Sequence, residues 1–110
     1  MSSYTIVFTP EAEQHLAELY RYIAEKSSAD TAHRFTMSIV DYCAAMDEFP
    51  HKGMKREDIR PGLRIVSYRG NTVIAIAVDD VARLVTIVGI FYGGRNYEAL
   101  LRPDDSESHN

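Results

Sequence analysis

The spacing of apolar residues along this chain changes near residue 62, from helical recurrence before it to strand-like runs after it. Ala12, Leu16, Leu19, Tyr20 and Ile23 fall on one helical stripe, with Glu13, Glu18, Arg21 and Glu25 turned away from it. Thr9-Pro10-Glu11 supplies the start: threonine as N-cap, proline at the first helical position and an acid favoured by the helix dipole. Ser28-Ala29-Asp30 offers a second N-cap, and Ala32, Phe35, Ile39, Tyr42, Cys43 and Met46 form a second stripe that ends by Phe49-Pro50. Two amphipathic helices joined by so short a turn must be antiparallel neighbours.

The strand-like segments are Tyr4-Thr5-Ile6-Val7-Phe8 before the helices and three consecutive runs, 63–68, 73–78 and 84–91, after them. Gly70-Asn71 tolerates the positive φ that a tight hairpin needs, and Asp79-Asp80 marks a second reversal, which together predict a β-meander. The middle strand places Ala75 and Ala77 on one face and Ile74, Ile76 and Val78 on the other, so the larger face is expected to carry the core. Neither helix can bury its stripe alone. The predicted fold is therefore α+β and two-layered in the order β-α-α-β-β-β, a helical hairpin packed on a mainly antiparallel four-stranded sheet with the first strand at an edge. After Phe91, a glycine turn leads to one or two helical turns ending at Leu101.

Length and composition narrow the class. At 110 residues the chain suffices for one domain, expected over 1–101, with 102–110 a polar acidic tail expected to be disordered. Apolar residues at 45% and charged ones at 25% are the values of an ordinary globular domain, against disordered, fibrous or membrane classes. No signal-peptide pattern opens the chain and no apolar run reaches membrane-spanning length, which sets a cytoplasmic expectation. The one cysteine excludes an internal disulfide and a cysteine-rich zinc module.

The net charge of −4 is unevenly spread. Residues 1–50 carry eight acids and three bases, whereas 51–64 carry Lys52, Lys55, Arg56, Arg60 and Arg64 against Glu57 and Asp58. A short basic connection on an acidic domain is either a contact for an anionic partner or a solvated loop.

Signatures of common chemistries are missing: no phosphate-binding glycine loop, no His-Glu-x-x-His, no Cys-x-x-Cys. His15, His33, His51 and His109 show no paired ligand spacing, and His15 and His33 read as surface positions on the helices, so neither metal nor cofactor is expected. Cys43 sits on an apolar stripe and reads as a small buried hydrophobe. What remains is Lys52, Lys55, Arg56, Arg60, Arg64 and Arg83 with Tyr92, residue types able to hold an RNA backbone, stabilise a pentavalent phosphate and move a ribose proton. Only Arg64, Arg83 and Tyr92 fall in or beside a predicted strand.

Five segments in register carry a resemblance. Thr9-Pro10-Glu11-Ala12-Glu13, Tyr20-Arg21-Tyr22-Ile23-Ala24-Glu25, Phe49-Pro50-His51-Lys52-Gly53, Ile59-Arg60-Pro61-Gly62-Leu63-Arg64 and Gly93-Gly94-Arg95-Asn96-Tyr97-Glu98 resemble, in this order, the ParE branch of the RelE/ParE toxin superfamily over about residues 4–101. The resemblance implies a toxin of a type II toxin-antitoxin module, neutralised in a hetero-oligomer by a ParD-like antitoxin. It implies no membrane association and no sequence-specific DNA binding by the toxin alone. ParE-type toxins poison DNA gyrase, while RelE-type members cut messenger RNA on the ribosome, and a shared scaffold does not choose between them.

Departures from the pattern bear on that choice. Where the ParE pattern has an aromatic and an arginine on the third strand this chain has Ala75, Ile76 and Ala77, and where the last strand has an arginine and ends in His-Gly it has Gly89 and Tyr92-Gly93. Cleavage without a metal needs several cations at the phosphate, so this loss favours a non-enzymatic gyrase-binding toxin. The expected contacts to target or antitoxin are Arg56, Arg60, Arg64, Tyr92 and Arg95. The rival enzyme would use Arg60, Arg64, Arg83 and Tyr92, and a second rival is a degenerate toxin that only binds its antitoxin. Pro61-Gly62 reads as structural, fixing the entry to the following strand.

Overall fold

Alternation after residue 62 becomes the centre of a five-stranded sheet in the computed structural model, which describes residues 3–102. Its elements are β1 (Thr5–Phe8), α1 (Pro10–Lys26), α2 (Ala29–Ala44), a 3₁₀ turn (Ala45–Asp47), β2 (Met54–Lys55), β3 (Leu63–Tyr68), β4 (Thr72–Asp79), β5 (Leu84–Phe91) and α3 (Tyr97–Leu101). The strand order is β1-β5-β4-β3-β2, with β1 parallel to β5 at one edge and every other pair antiparallel. No helix of the described residues is long and apolar enough to cross a membrane. Of the tail expected to be disordered, residues 103–110 lie outside the described residues.

The local signals act as their chemistry requires. Thr9 Oγ1 accepts from Ala12 N at 3.0 Å with Pro10 at the first helical position, and Ser28 Oγ accepts from Thr31 N at 3.0 Å. Gly70 and Asn71 both have positive φ, 64° and 61°, closing a tight turn between β3 and β4 of the kind whose twist matches the strands. The Gly62 carbonyl accepts from Val78 N at 3.0 Å while its own N–H donates to Glu57 Oε1, so the Pro61-Gly62 step extends the β3–β4 ladder.

One sheet face holds the main core. Ile74 and Ile76 of β4, Val66 of β3, and Val85, Ile87 and Ile90 of β5 pack against Ala12 and Leu19 of α1, Ile39 and Cys43 of α2 and Met46. The choice of the larger β4 face as the core side follows from this. The opposite face is also covered: Leu63, Ile65, Ala75 and Phe91 pack with Ile59 from the loop before β3 and Leu101 from α3.

The sheet departs from the four-stranded expectation through β2, whose Met54 and Lys55 pair with Ile65 and Arg64. Two exposed residues carry no periodicity of their own, so only the edge of β3 defines them as a strand. A second unforeseen feature lies beyond the short β1, where α1 takes over the open edge of β5. Thr9 N donates to Ile87 O at 3.1 Å, Thr9 Oγ1 donates to Val88 O at 3.2 Å, and Ile90 N donates to His15 Nδ1 at 3.1 Å. Backbone groups that a longer edge strand would pair are thus satisfied by one helix.

Candidate functional site

The sequence-selected cations divide among three places, beginning with Arg56 and Arg60 on the α3 side. Arg56 forms a two-pronged pair with Asp58, Nε to Oδ1 at 2.9 Å and Nη2 to Oδ2 at 2.8 Å, and its Nη1 reaches Glu98 Oε2 at 2.7 Å. These pairs hold the Asp58 carboxyl at about 2, with the hydrogen bond from Arg56 as the chief cause. Arg56 is therefore committed to tying α3 to the loop before β3. Arg60 Nε donates to Leu101 O at 2.6 Å, satisfying a carbonyl at the end of α3.

Arg64 points to the helix-covered side, since it alternates with Leu63 and Ile65 of the other face. Its Nε donates to Lys52 O at 2.8 Å, and Nη2 lies 3.4 Å from the His51 and Gly53 carbonyls, so it organises the turn at 51–53. Lys52 itself lies over the Tyr42 and Phe49 rings, while Lys55 is exposed on β2. At the other end of β5, Arg83 sits over the Tyr4 ring with 5.8 Å to its centroid. There Asp80 accepts from Tyr4 Oη at 2.6 Å and pairs with His51 Nε2 at 2.8 Å, joining the start of the chain to the β4–β5 turn. The Asp80 carboxyl is lowered, first by the Tyr4 hydrogen bond and then by His51.

Tyr92 is half-buried, its ring 5.4 Å from that of Tyr22 on α1, and the Arg95 guanidinium lies over it at 5.7 Å. The enzyme-like set of Arg60, Arg64, Arg83 and Tyr92 is thus not brought together. Arg60 lies on the α3 side, Arg64 on the helix side, and Arg83 and Tyr92 at opposite ends of β5.

Arg60 and Arg95 do meet at a cleft of about 390 Å³, whose walls include Glu11, His15, Phe91 and Leu100. His15 corrects the reading of that residue as a surface position. It is half-buried, packs against Phe91 with ring centroids 5.1 Å apart and planes tilted by 53°, and accepts the buried Ile90 N–H. Burial is the main cause that lowers its pKa below 6.5, with Arg95 adding to the effect and Glu18 and Glu11 opposing it. The signal was in the spacing: His15 is three residues after Ala12 and four before Leu19, both buried.

Gly89 explains why no arginine stands on the last strand. A Cβ there would lie 2.7 Å from Phe91 Cζ and 3.3 Å from His15 Cε1, because the Phe91 ring folds under the strand. Ala75 lies opposite Gly89, and between Gly89 and Ile87 the β4–β5 register shifts, leaving Val88 as an extra residue. An aromatic packing solution occupies the ground where a strand cation would stand. Among the described residues, no group of three His, Cys, Asp or Glu side chains could hold a metal ion.

Two further grooves are apolar. One, between α1 and α2, is lined by Leu16, Ala17, Tyr20, Thr36, Met37 and Val40, with Met37 exposed. The other lies around Tyr22, Phe35 and Tyr92.

The sequence over residues 6–97 matches the family model described as ParE toxin of type II toxin-antitoxin system, parDE. The chain belongs to this family. No curated protein matches it in sequence. Its fold is similar to a chain of the chromosomal ParDE toxin-antitoxin system from P. aeruginosa, at 18% identity and a TM-score of 0.69, covering 82% of this chain and 96% of that one. It is also similar to a chain of the toxin-antitoxin complex RelBE2 from Mycobacterium tuberculosis, at 21% identity and a TM-score of 0.61, covering 86% and 97%.

Proposed function

We propose that this toxin acts in the cytoplasm by binding DNA gyrase and arresting replication, without cutting RNA, and that a ParD-like protein antitoxin holds it inactive. The observation that supports the first part is the dispersal of Arg60, Arg64, Arg83 and Tyr92 over both faces and both ends of the sheet. Phosphoryl transfer at a ribose needs cations and a proton carrier within reach of one phosphate. Binding a protein target needs a surface only. Gly89 and the Phe91 ring fill the strand position that would have carried another cation.

Antitoxin binding has a separate basis. The α1–α2 groove offers apolar anchor sites at i, i+4 spacing through Leu16 and Tyr20, with the exposed Met37 opposite, which suits an amphipathic helix. Arg56 is already matched by two carboxylates, whereas Arg60 and Arg64 bond only to backbone carbonyls and keep a charge that an acidic antitoxin can meet. Charge reversal at both positions is expected to weaken the complex, and unchanged affinity would remove this electrostatic part.

Purified toxin added to gyrase with supercoiled DNA and ATP tests the target directly. Accumulation of cleaved DNA covalently held by gyrase is the expected result. No effect on gyrase, together with cleavage of messenger RNA in a ribosomal translation mixture, would overturn the proposal in favour of a nuclease.

A further inference from the structure

The cleft between the start of α1, the end of β5 and α3 is neither an apolar groove nor a neutral one. Two guanidiniums line it with donors to spare. Arg60 uses Nε on Leu101 O, and among the described residues neither of its Nη atoms has an acceptor. Arg95 is exposed and lies over the face of Tyr92. His15 accepts the Ile90 N–H through Nδ1, which assigns the proton of the neutral ring to Nε2 and makes that atom a third donor.

The charge balance selects the size of the anion. Glu11 also lines the cleft, so two guanidiniums face one resident carboxylate and the local excess is a single positive charge. That matches one carboxylate better than a phosphate dianion. Apart from Thr9, whose hydroxyl is engaged on Val88 O, the rest of the wall comes from Val88, Phe91, Leu100 and Leu101, with Leu100 more than half exposed. An inorganic anion would leave that surface wet, whereas a peptide carboxylate brings an apolar neighbour with it.

We propose that this cleft binds an acidic residue flanked by apolar residues in a peptide segment of a partner protein. The Arg60 and Arg95 guanidiniums grip the carboxylate as charge-assisted, fork-like donors, and Phe91 and Leu100 take the adjacent apolar side chain. The net charge of −4 repels acidic segments from most of the molecule, so the cleft also sets where such a segment lands. The proposal does not rest on gyrase being the target.

Titrating the ¹⁵N-labelled full chain with acetyl-Leu-Asp-Leu-amide, and separately with acetyl-Leu-Asn-Leu-amide, tests it by NMR. The acidic peptide is expected to shift the Arg60 and Arg95 Nε–H signals, the His15 ring and the Ile90 N–H, and the neutral peptide to leave them in place. Arg95→Gln should weaken binding about tenfold and Glu11→Gln should tighten it by about threefold, opposite signs that a general loss of structure cannot produce. Equal binding of both peptides, the same sign for both variants, or no shift at millimolar peptide would overturn the proposal. Inorganic phosphate competing as strongly as the acidic peptide would also overturn it, showing an unselective anion site. None of these failures alters gyrase inhibition, which is read in a separate assay.

Discussion

His15 shows how much one side chain carries in this molecule, because its acceptor atom satisfies the N–H of the fully buried Ile90. His15→Ala should cost about 1–3 kcal/mol, the penalty of leaving a buried donor unmatched. Its lowered pKa fixes the sign of a pH effect. From 6.5 downward the unfolded chain takes up a proton that the folded imidazole resists, so stability falls as pH falls. Urea melts at pH 7 and pH 5 should show this slope in the native chain and a smaller one in the variant; an unchanged slope would contradict the assignment. Tyr92 separates packing from catalysis in the same way. Its ring packs at a tilt against Tyr22, so Tyr92→Phe should keep toxicity and stability, the latter to within about 0.5 kcal/mol. Loss of growth arrest in that variant would point to the hydroxyl and to a nuclease. Burial pushes the Cys43 thiol up to about 12, and slow alkylation of the folded protein, rapid only in denaturant, is the expected signature.

The helix α1 is both a layer and an edge. Thr9 caps it and, through the same hydroxyl, donates to Val88 O on β5. Thr9→Ala should therefore cost about 1–2 kcal/mol, the upper part of the range for an N-cap, with Thr9→Ser retaining most of it. Thermal denaturation of the two variants decides, and equal losses would show that the hydroxyl is irrelevant. The start of α1 was legible because Thr9-Pro10-Glu11 is a local signal, and so was the β3–β4 turn from Gly70-Asn71. The replacement of a missing strand by helix side chains was not. It depends on β1 ending at Phe8 while β5 runs to Phe91, a length mismatch between segments far apart in sequence. The same holds for α3, whose tie to the loop before β3 runs through Arg56 across 42 residues. Arg56→Ala should speed amide exchange in α3 with little change at Ile74 or Ile76, and uniform acceleration would show that the tie serves the whole fold.

For the molecule as a whole, the basic stretch at 51–64 was legible as a cluster in sequence but is not one in space. Arg56 serves α3, Arg60 opens onto the Arg95 cleft, and Arg64 holds the turn at 51–53. Sequence proximity put them together, and the alternation of β3 with the loop around it sent them to different faces. In the sequence the missing strand arginine is a loss of charge; in the structure Phe91 and His15 fill its place. A binding toxin is consistent with both. The most direct test is controlled expression without antitoxin in bacteria, with pulse labelling of DNA and protein synthesis in one culture. Early arrest of DNA synthesis while translation continues is the predicted result, and early arrest of translation with DNA synthesis continuing would contradict it.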